Sequence, residues 1–313
     1  MAKRRGRALP GASRERREAL KREWLAVVNP CSGGNRNRTR LSELLDGLGR
    51  LADRTVVTSY PGHAAEVTME SQAYEGVVAV GGDGTLFEIL KGIDRSKQRI
   101  AVIPAGRGNS LARDLGLMCG RGYIETIHWE KARSIDLMDV KVTTSSGVES
   151  SHLSASTVAL GYAAAVAIRA RQMAWMGGMS YAGAAALLRP VHFGARIQYD
   201  SGIRREVRLS GFIANNTRHL ANFLAFRRAS CSDGFFEIME IDAGLLKQTM
   251  HNLSALSRTG AYEPYPPRQA RSAAIQLETP QDLMMDGEVF HDVVAVQIRM
   301  LPSALVCNGP KTE

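Results

Sequence analysis

The sequence predicts an α/β protein: a doubly wound, Rossmann-like parallel sheet in the N-terminal part, followed by a mainly antiparallel β region. Three observations carry this. Between Trp24 and about Val140, short β-branched apolar runs alternate with segments whose apolar residues recur at helical spacing, the pattern of a parallel sheet covered by helices. Three of those runs end in glycine-rich turns: Asn29-Pro30-Cys31-Ser32-Gly33-Gly34, Gly81-Gly82-Asp83-Gly84-Thr85 and Pro104-Ala105-Gly106-Arg107-Gly108-Asn109. After about Lys141, strand-like segments follow one another with fewer helices between them, which reads as antiparallel pairing.

Leu25–Val28 is the first strand and ends at Asn29-Pro30. A polar helix carrying Leu41, Leu44, Leu45 and Leu48 follows, then a strand at Thr55–Val57 and a helix from about His63 to Ala73. The third strand, Gly76–Val80, is apolar and β-branched, so it is expected to be buried on both faces. Beyond it, Leu86, Ile89, Leu90 and Ile93 have helical spacing. Ile100–Ile103 is the fourth strand. Helices are expected over Leu111–Leu115 and Ile124–Lys131, and a strand over Ser134–Val140. In the second part, strands are expected at His152–Leu160, Ala195–Tyr199, Val207–Asn215, Phe235–Ile241, Ala273–Leu277 and Val293–Met300. Small-residue helices at Tyr162–Met173 and Ser180–Leu188 interrupt them, and Leu245–Leu256 is a better marked helix. The expected organisation is a tail (1–22), a nucleotide-binding α/β domain (23–141) and a β-rich substrate domain (142–300).

A chain of 313 residues can bury a proper core as one large or two ordinary domains. Its net charge of +9 is unevenly placed. Residues 1–22 hold nine Lys/Arg against Glu15 and Glu18, so the basic signal belongs to a tail and does not imply a nucleic-acid-binding fold. Such a tail is solvated, or holds the protein near anionic lipid. No apolar run approaches a membrane span. Cys31, Cys119, Cys231 and Cys307 form no C-x-x-C pair, which argues against zinc and a disulfide framework. With no apolar signal segment near the start, a cytoplasmic location is expected.

The glycine-rich turns lie at the carboxyl ends of strands, where open α/β sheets bind ligands. Glycine lets backbone approach a ligand, and the free N–H groups of a helix start attract phosphate. Asp83, inside the middle turn, would repel phosphate unless it binds a cation or a hydroxyl. The stretch lacks the Gly-Lys-Ser/Thr of a P-loop, and Phe87 stands where G-x-G-x-x-G needs its third glycine. Thr85 and Glu88 have capping-box spacing. Late in the chain, Leu283-Met-Met-Asp286-Gly287-Glu288-Val-Phe290 reads as a β-hairpin with an Asp-Gly turn. Met173–Met179 is adaptable apolar surface, used either for core packing or to line a lipid groove.

The three turns, in this order and each ending an apolar run, resemble the catalytic family of diacylglycerol and sphingosine kinases from about Trp24 to the C-terminus. The resemblance implies a β-sandwich for the second part, with residues 301–313 returning to the first domain. It implies an ATP site at Asn29, Pro30, Ser32, Gly33, Thr58, Gly81, Gly82, Asp83, Gly84, Thr85, Glu88, Gly106, Arg107 and Asn109. It implies Mg2+ near Asp83, Asp136 and Asp286, and a structural magnesium at Asp233 in some members. Asp286 and Glu288 become catalytic carboxylates, with Glu288 as proton acceptor and Asp83 and Asp286 beside the metal and phosphates; the swapped assignment stays open. Arg107 and Ser110 stand where many members have threonine and aspartate, and Asn215-Asn216 resembles an asparagine-containing loop. The implied activity is ATP-dependent phosphorylation of a lipid hydroxyl, such as that of diacylglycerol or a sphingoid base, during transient contact with a membrane surface and without nucleic acid. NAD kinase, a distant relative sharing Gly-Gly-Asp-Gly, and a non-catalytic nucleotide-binding regulator are the alternatives.

Overall fold

The computed structural model describes residues 24–33, 41–49, 51–117, 128–220, 224–226, 228–241 and 268–309. The basic tail, Gly34 and the expected helix Leu245–Leu256 lie outside the described residues.

Four parallel strands, β1 (Trp24–Val28), β2 (Arg54–Val57), β3 (Gly76–Gly81) and β4 (Arg99–Pro104), stand side by side in the order β4-β3-β1-β2. Their connections include helices α1 (Leu41–Leu48), α2 (His63–Met69) and α3 (Asp83–Leu90), and α4 (Ser110–Asp114) follows β4. Strand β3 is buried at every position, and its side chains alternate between two cores. Val77 and Ala79 pack with Leu86, Ile89 and Leu90 of α3. Val78 and Val80 pack with Trp24 and Leu48 on the other face. Burial on both faces is why the run carries no polar alternation. Val28 is level with Val80, and Gly81 with Pro104. The three glycine-rich turns therefore leave one edge of the sheet, around the β1/β3 position where the strand order reverses.

The rest is mostly antiparallel. Its strands are β5 (His128–Thr144), β6 (Glu149–Ser154), β7 (Thr157–Gly161), β8 (Phe193–Tyr199), β9 (Arg205–Leu209), β10 (Gly211–Asn215), β11 (His219–Leu220), β12 (Leu224–Ala225), β13 (Phe236–Ile241), β14 (Arg268–Ala270), β15 (Ser272–Met285) and β16 (Glu288–Gly309). One layer runs β14-β13-β10-β7-β15; the other joins β6, β5, β16 and β15, with β8 and β9 beyond. A single apolar core takes Leu160, Phe212 and Phe236 from the first layer and Val140, Ile197 and Ile298 from the second. The two layers thus face each other as a sandwich. Helices α5 (Tyr162–Gln172) and α6 (Ser180–Leu187), joined by a 3₁₀ turn at Ala174–Met179, follow β7. Strand β16 leaves the sandwich and reaches the parallel sheet, where Cys307 pairs in parallel with Ile100.

Three expectations are corrected. The segment from His128 to Lys131 is the start of β5, not the end of a helix, because β16 supplies its partners, with His128 opposite Gly309; residues 124–127 lie outside the described residues. The expected strand His152–Leu160 is broken at Ala155 and Ser156, whose N–H groups turn to the Asp286 carboxylate. The expected strand Val207–Asn215 is broken at Ser210, whose N–H donates to the Ile241 carbonyl while its own carbonyl accepts from Tyr162.

Candidate active site

The first turn is fastened to the second through Thr85. Asn29 donates its backbone N–H to the Val80 carbonyl (2.9 Å) and its side-chain amide to Thr85 Oγ1 (3.0 Å). Its Oδ1 accepts from the Cys31 N–H (3.0 Å), closing the turn locally. Ser32 Oγ lies 3.5 Å from the same threonine hydroxyl. The expected capping box is therefore not formed. Gly82 is extended and serves as N-cap, so α3 already begins at Asp83. Glu88 instead accepts the N–H groups of Gly62 (2.9 Å) and Ala64 (3.2 Å) at the start of α2.

The third turn packs glycine against glycine. A Cβ on Gly106 would lie 2.4 Å from Gly82 Cα, so only glycine allows these backbones to meet. Asn109, at φ 50°, folds its side chain onto Gly106, accepting that residue's N–H (2.9 Å) and donating to its carbonyl (2.8 Å). The next residue, Ser110, donates its N–H to Asp83 Oδ1 (2.8 Å). Burial of the Asp83 carboxyl pushes its pKa up to about 6, against the lowering effect of the N–H groups around Ser110.

The late hairpin brings the remaining carboxylates to the same place. Met285 pairs with Glu288, and Asp286 and Gly287 between them have φ of 48° and 96°, the left-handed pair of a two-residue hairpin. The hairpin and the site are one feature. A Cβ on Gly84 would lie 3.3 Å from Glu288 Oε1, so the hairpin tip rests on the first turn of α3. Phe290 continues this contact, 6.4 Å from Phe87 and 4.7 Å from His152 between ring centroids, and Lys91 lies over Phe87.

The two hairpin carboxylates differ in their surroundings. Asp286 is buried, and its oxygens accept the N–H groups of Ala155 (2.7 Å), Ser156 (3.1 Å) and Thr157 (2.7 Å). Burial pushes its pKa up to about 7, opposed by the Thr157 N–H and reinforced by the charge of Asp83. Glu288 is half-buried and, among the described residues, accepts no hydrogen bond. Burial raises its pKa, Arg171 works against that, Glu88 adds to the rise and Lys91 opposes it. In this geometry Glu288 has an available basic oxygen, whereas Asp286 anchors the turn.

Other expected site residues lie around this centre. Thr58 is buried at the end of β2, its hydroxyl donating to the Val28 carbonyl (3.3 Å). Pro30 and Gly33 shape the first turn, Gly33 at φ 73°. Arg107 is exposed at the tip of the third turn. Asp136 has different partners: its oxygens accept the N–H groups of Gly234 (2.6 Å) and Ser303 (2.7 Å). Asp233 is exposed and accepts from the Phe235 N–H (3.0 Å). No group of three or more His, Cys, Asp or Glu side chains that could hold a metal occurs among the described residues. Magnesium needs less, since it keeps waters and takes one or two carboxylates together with substrate phosphates. Asp83 Oδ2 fits that demand. Asp286 and Asp136 have both oxygens engaged by backbone.

Sequence reasoning missed several participants. Arg171, at the end of α5, donates to the Gly287 carbonyl at the hairpin tip, and it read only as part of a small-residue helix. Tyr181, in α6, has its phenol pKa raised by burial and then by Asp83, with Arg171 and Arg107 opposing. Asn216 was noted only as a loop residue; it donates to the carbonyls of Asp136 and Ala155. His219 Nδ1 lies 2.7 Å from Asp114 Oδ1, tying the loop after β10 to α4. These pairs are separated by scores of residues, so spacing gave no signal.

Residues 23–140 match the family model of the diacylglycerol kinase catalytic domain. The chain is similar to diacylglycerol and sphingosine kinases. Sphingosine kinase 1 of Arabidopsis thaliana is 29% identical over 173 residues, half of this chain and 35% of that protein. The chain thus spans about a third of that relative's length. A diacylglycerol kinase of Staphylococcus haemolyticus is 25% identical over 84% of this chain and 81% of its own. A diacylglycerol kinase structure from Bacillus anthracis str. Sterne superposes with a TM-score of 0.70 at 20% identity, covering 91% of this chain and 96% of that one, which establishes the two-part fold. These likenesses to diacylglycerol and sphingosine kinases do not favour the NAD kinase alternative.

Proposed function

We propose that the chain transfers the γ-phosphoryl group of ATP to a hydroxyl of a lipid, such as diacylglycerol or a sphingoid base, with magnesium. One observation carries the reading: the Asp286–Glu288 hairpin tip rests on the Gly82–Gly84 turn, at the edge where all three glycine-rich turns meet. The turns offer backbone N–H groups and the start of α3 to phosphate. Magnesium, were it bound, would supply positive charge to offset that of the phosphates, and Asp83 is the side chain that would hold it, which leaves Glu288 uncommitted. Arg171, beside the hairpin tip, adds positive charge that suits a phosphate oxygen. Glu288 is the proposed acceptor of the substrate hydroxyl proton, since its oxygen is uncommitted and its basicity is raised by burial. Asp286 is proposed to hold the hairpin in place, and Asp83 to orient the metal and phosphates.

Incubation with γ-labelled ATP and a mixed lipid extract, read by mass, tests this. A labelled lipid is the expected product. Labelled NADP when NAD is supplied would replace the reading with the NAD kinase one. ATP binding with neither product would leave a nucleotide-binding regulator.

A further inference from the structure

We propose that Tyr60 is the platform on which the base of a bound nucleotide stacks. This place for the base rests on reading the glycine-rich turns as a phosphate site. Tyr60 lies in the turn between β2 and α2 and is 52% exposed. Its ring is nonetheless held at two points. One face is stacked on the His63 imidazole, with ring centroids 4.7 Å apart and planes 11° from parallel. The hydroxyl donates to Glu66 Oε2 (2.5 Å). His63 is fixed in turn, since its Nδ1 accepts the Ser59 N–H (3.1 Å). Between the two rings, Pro61 restricts the backbone and Gly62 takes φ 91°, so the chain turns and rings three residues apart meet. With one face covered and the residue half exposed, the second face of the Tyr60 ring is the one that solvent meets. A flat face already held in place loses little freedom when a planar ligand lies on it.

The backbone puts this ring at the edge where the glycine-rich turns leave the sheet. Thr58, two residues before it, donates its N–H to the Val28 carbonyl (2.8 Å), where β1 ends and the first turn begins. Gly62, two residues after it, donates its N–H to Glu88 Oε1 (2.9 Å), on the helix that follows the second turn. Two residues span about 7 Å at most, so the Tyr60 backbone lies within that reach of both anchored residues. In a doubly wound sheet with phosphates at the first turn, the ribose is met at the end of the strand alongside. Here that strand is β2, with Val57 level with Val28. A Cβ on Gly62 would meet nothing within 4 Å, so there is open space beside the ring.

The chemistry of the platform selects a base. Every nucleobase has a π-face, and stacking on an aromatic side chain strengthens binding about 5- to 150-fold per base. A phosphate gains nothing from an aromatic face, and the Glu66 carboxylate beside the hydroxyl disfavours an anion. Tyr60 therefore separates a nucleotide from a bare polyphosphate, which the glycine-rich turns alone do not.

The test is calorimetry of the full chain with ATP and, separately, with inorganic tripolyphosphate. Tyr60→Ala should weaken ATP binding about 5- to 150-fold and leave tripolyphosphate binding as in the wild type, with the far-ultraviolet spectrum unchanged. Tyr60→Phe keeps the face and gives up the Glu66 bond, so it should retain most of the ATP affinity, as should Tyr60→Trp. Wild-type ATP affinity in Tyr60→Ala overturns the proposal. So does an equal loss for ATP and tripolyphosphate, which would make Tyr60 a support of the turn and not a ligand contact. A Tyr60→Phe variant as weak as Tyr60→Ala overturns it too, because the hydroxyl and not the face would then matter. The readout needs no turnover. ATP binding that depends on Tyr60, without any labelled lipid in the kinase assay, leaves this proposal standing and removes the lipid-kinase reading. A wild-type chain that binds no ATP removes both.

Discussion

Three carboxylates meet at the site, and their contacts give them different expected behaviour. Glu288→Gln keeps the shape and removes the proton acceptor; kcat should fall about 10²–10⁴-fold while ATP binding, followed by calorimetry, persists. Asp286→Asn turns an amide NH2 toward backbone donors and strands at least one of the N–H groups of Ala155, Ser156 and Thr157. It should cost about 1–3 kcal/mol, visible as a lower urea midpoint, and lower turnover by displacing the hairpin. A variant that loses turnover at full stability would instead put Asp286 among the reacting groups. The pH dependence has a definite sign. The pKa values of Asp83 and Asp286 are raised to about 6 and about 7, above the ordinary carboxylate range near about 4. From about pH 4 to 7 the folded protein holds protons that the unfolded chain has released. The stability due to this coupled pair therefore falls as pH rises through that window. The chemistry needs the ionised forms, so kcat/KM should rise over the upper part of the same window while the Tm of the ligand-free protein declines. A kcat/KM that is flat from pH 5 to 8 would show that neither carboxylate must ionise.

Each turn is short, yet its geometry is set by its neighbour. Gly106→Ala places a methyl group against Gly82 backbone, and backbone cannot swing aside as a long side chain can. The two turns must part, so ATP affinity should drop at least about tenfold, a loss of about 1.4 kcal/mol of binding, with the strands intact by circular dichroism. ATP affinity equal to wild type would show that the two turns need not touch to hold phosphate. Thr85→Ala removes the oxygen that receives the Asn29 amide and should free the first turn, whereas Thr85→Ser should restore ATP binding. A helix-capping role would instead give a stability loss of about 0.5–2 kcal/mol without the effect on ATP. The sequence shows the glycine turns plainly because each follows a buried strand, and the Asp-Gly turn because it needs two positive φ angles. It misplaces Thr85 and Glu88 because the capping box and the two inter-turn contacts demand the same residue types. It hides Arg171 and Tyr181 because their partners arrive from other elements, and it reads 128–131 as helix because the pairing strand lies some 180 residues away in the sequence.

At the scale of the molecule, β16 is the element that makes one body of two sheet systems. Its first residue, Glu288, stands at the site, its middle pairs with β5 and β15, and its end lies beside β4. Leu305 and Cys307 are buried and belong to the core that also holds Val77, Ile100 and Ile135. The C-terminal strand thus completes the apolar cover of the parallel half while its other end presents the candidate base. Asp136 reinforces the link by accepting the Ser303 N–H where β16 crosses over. A defect near the end of the chain should therefore be felt in the nucleotide-binding half. Leu305→Ala removes a fully packed side chain and should cost about 2–5 kcal/mol. The loss should appear in the fluorescence of Trp24, which is buried in that half, at a lower urea concentration than in the wild type. If Trp24 reports an unchanged midpoint, the parallel half is stable without its returning strand, and the coupling of the site to the C-terminus through β16 does not exist.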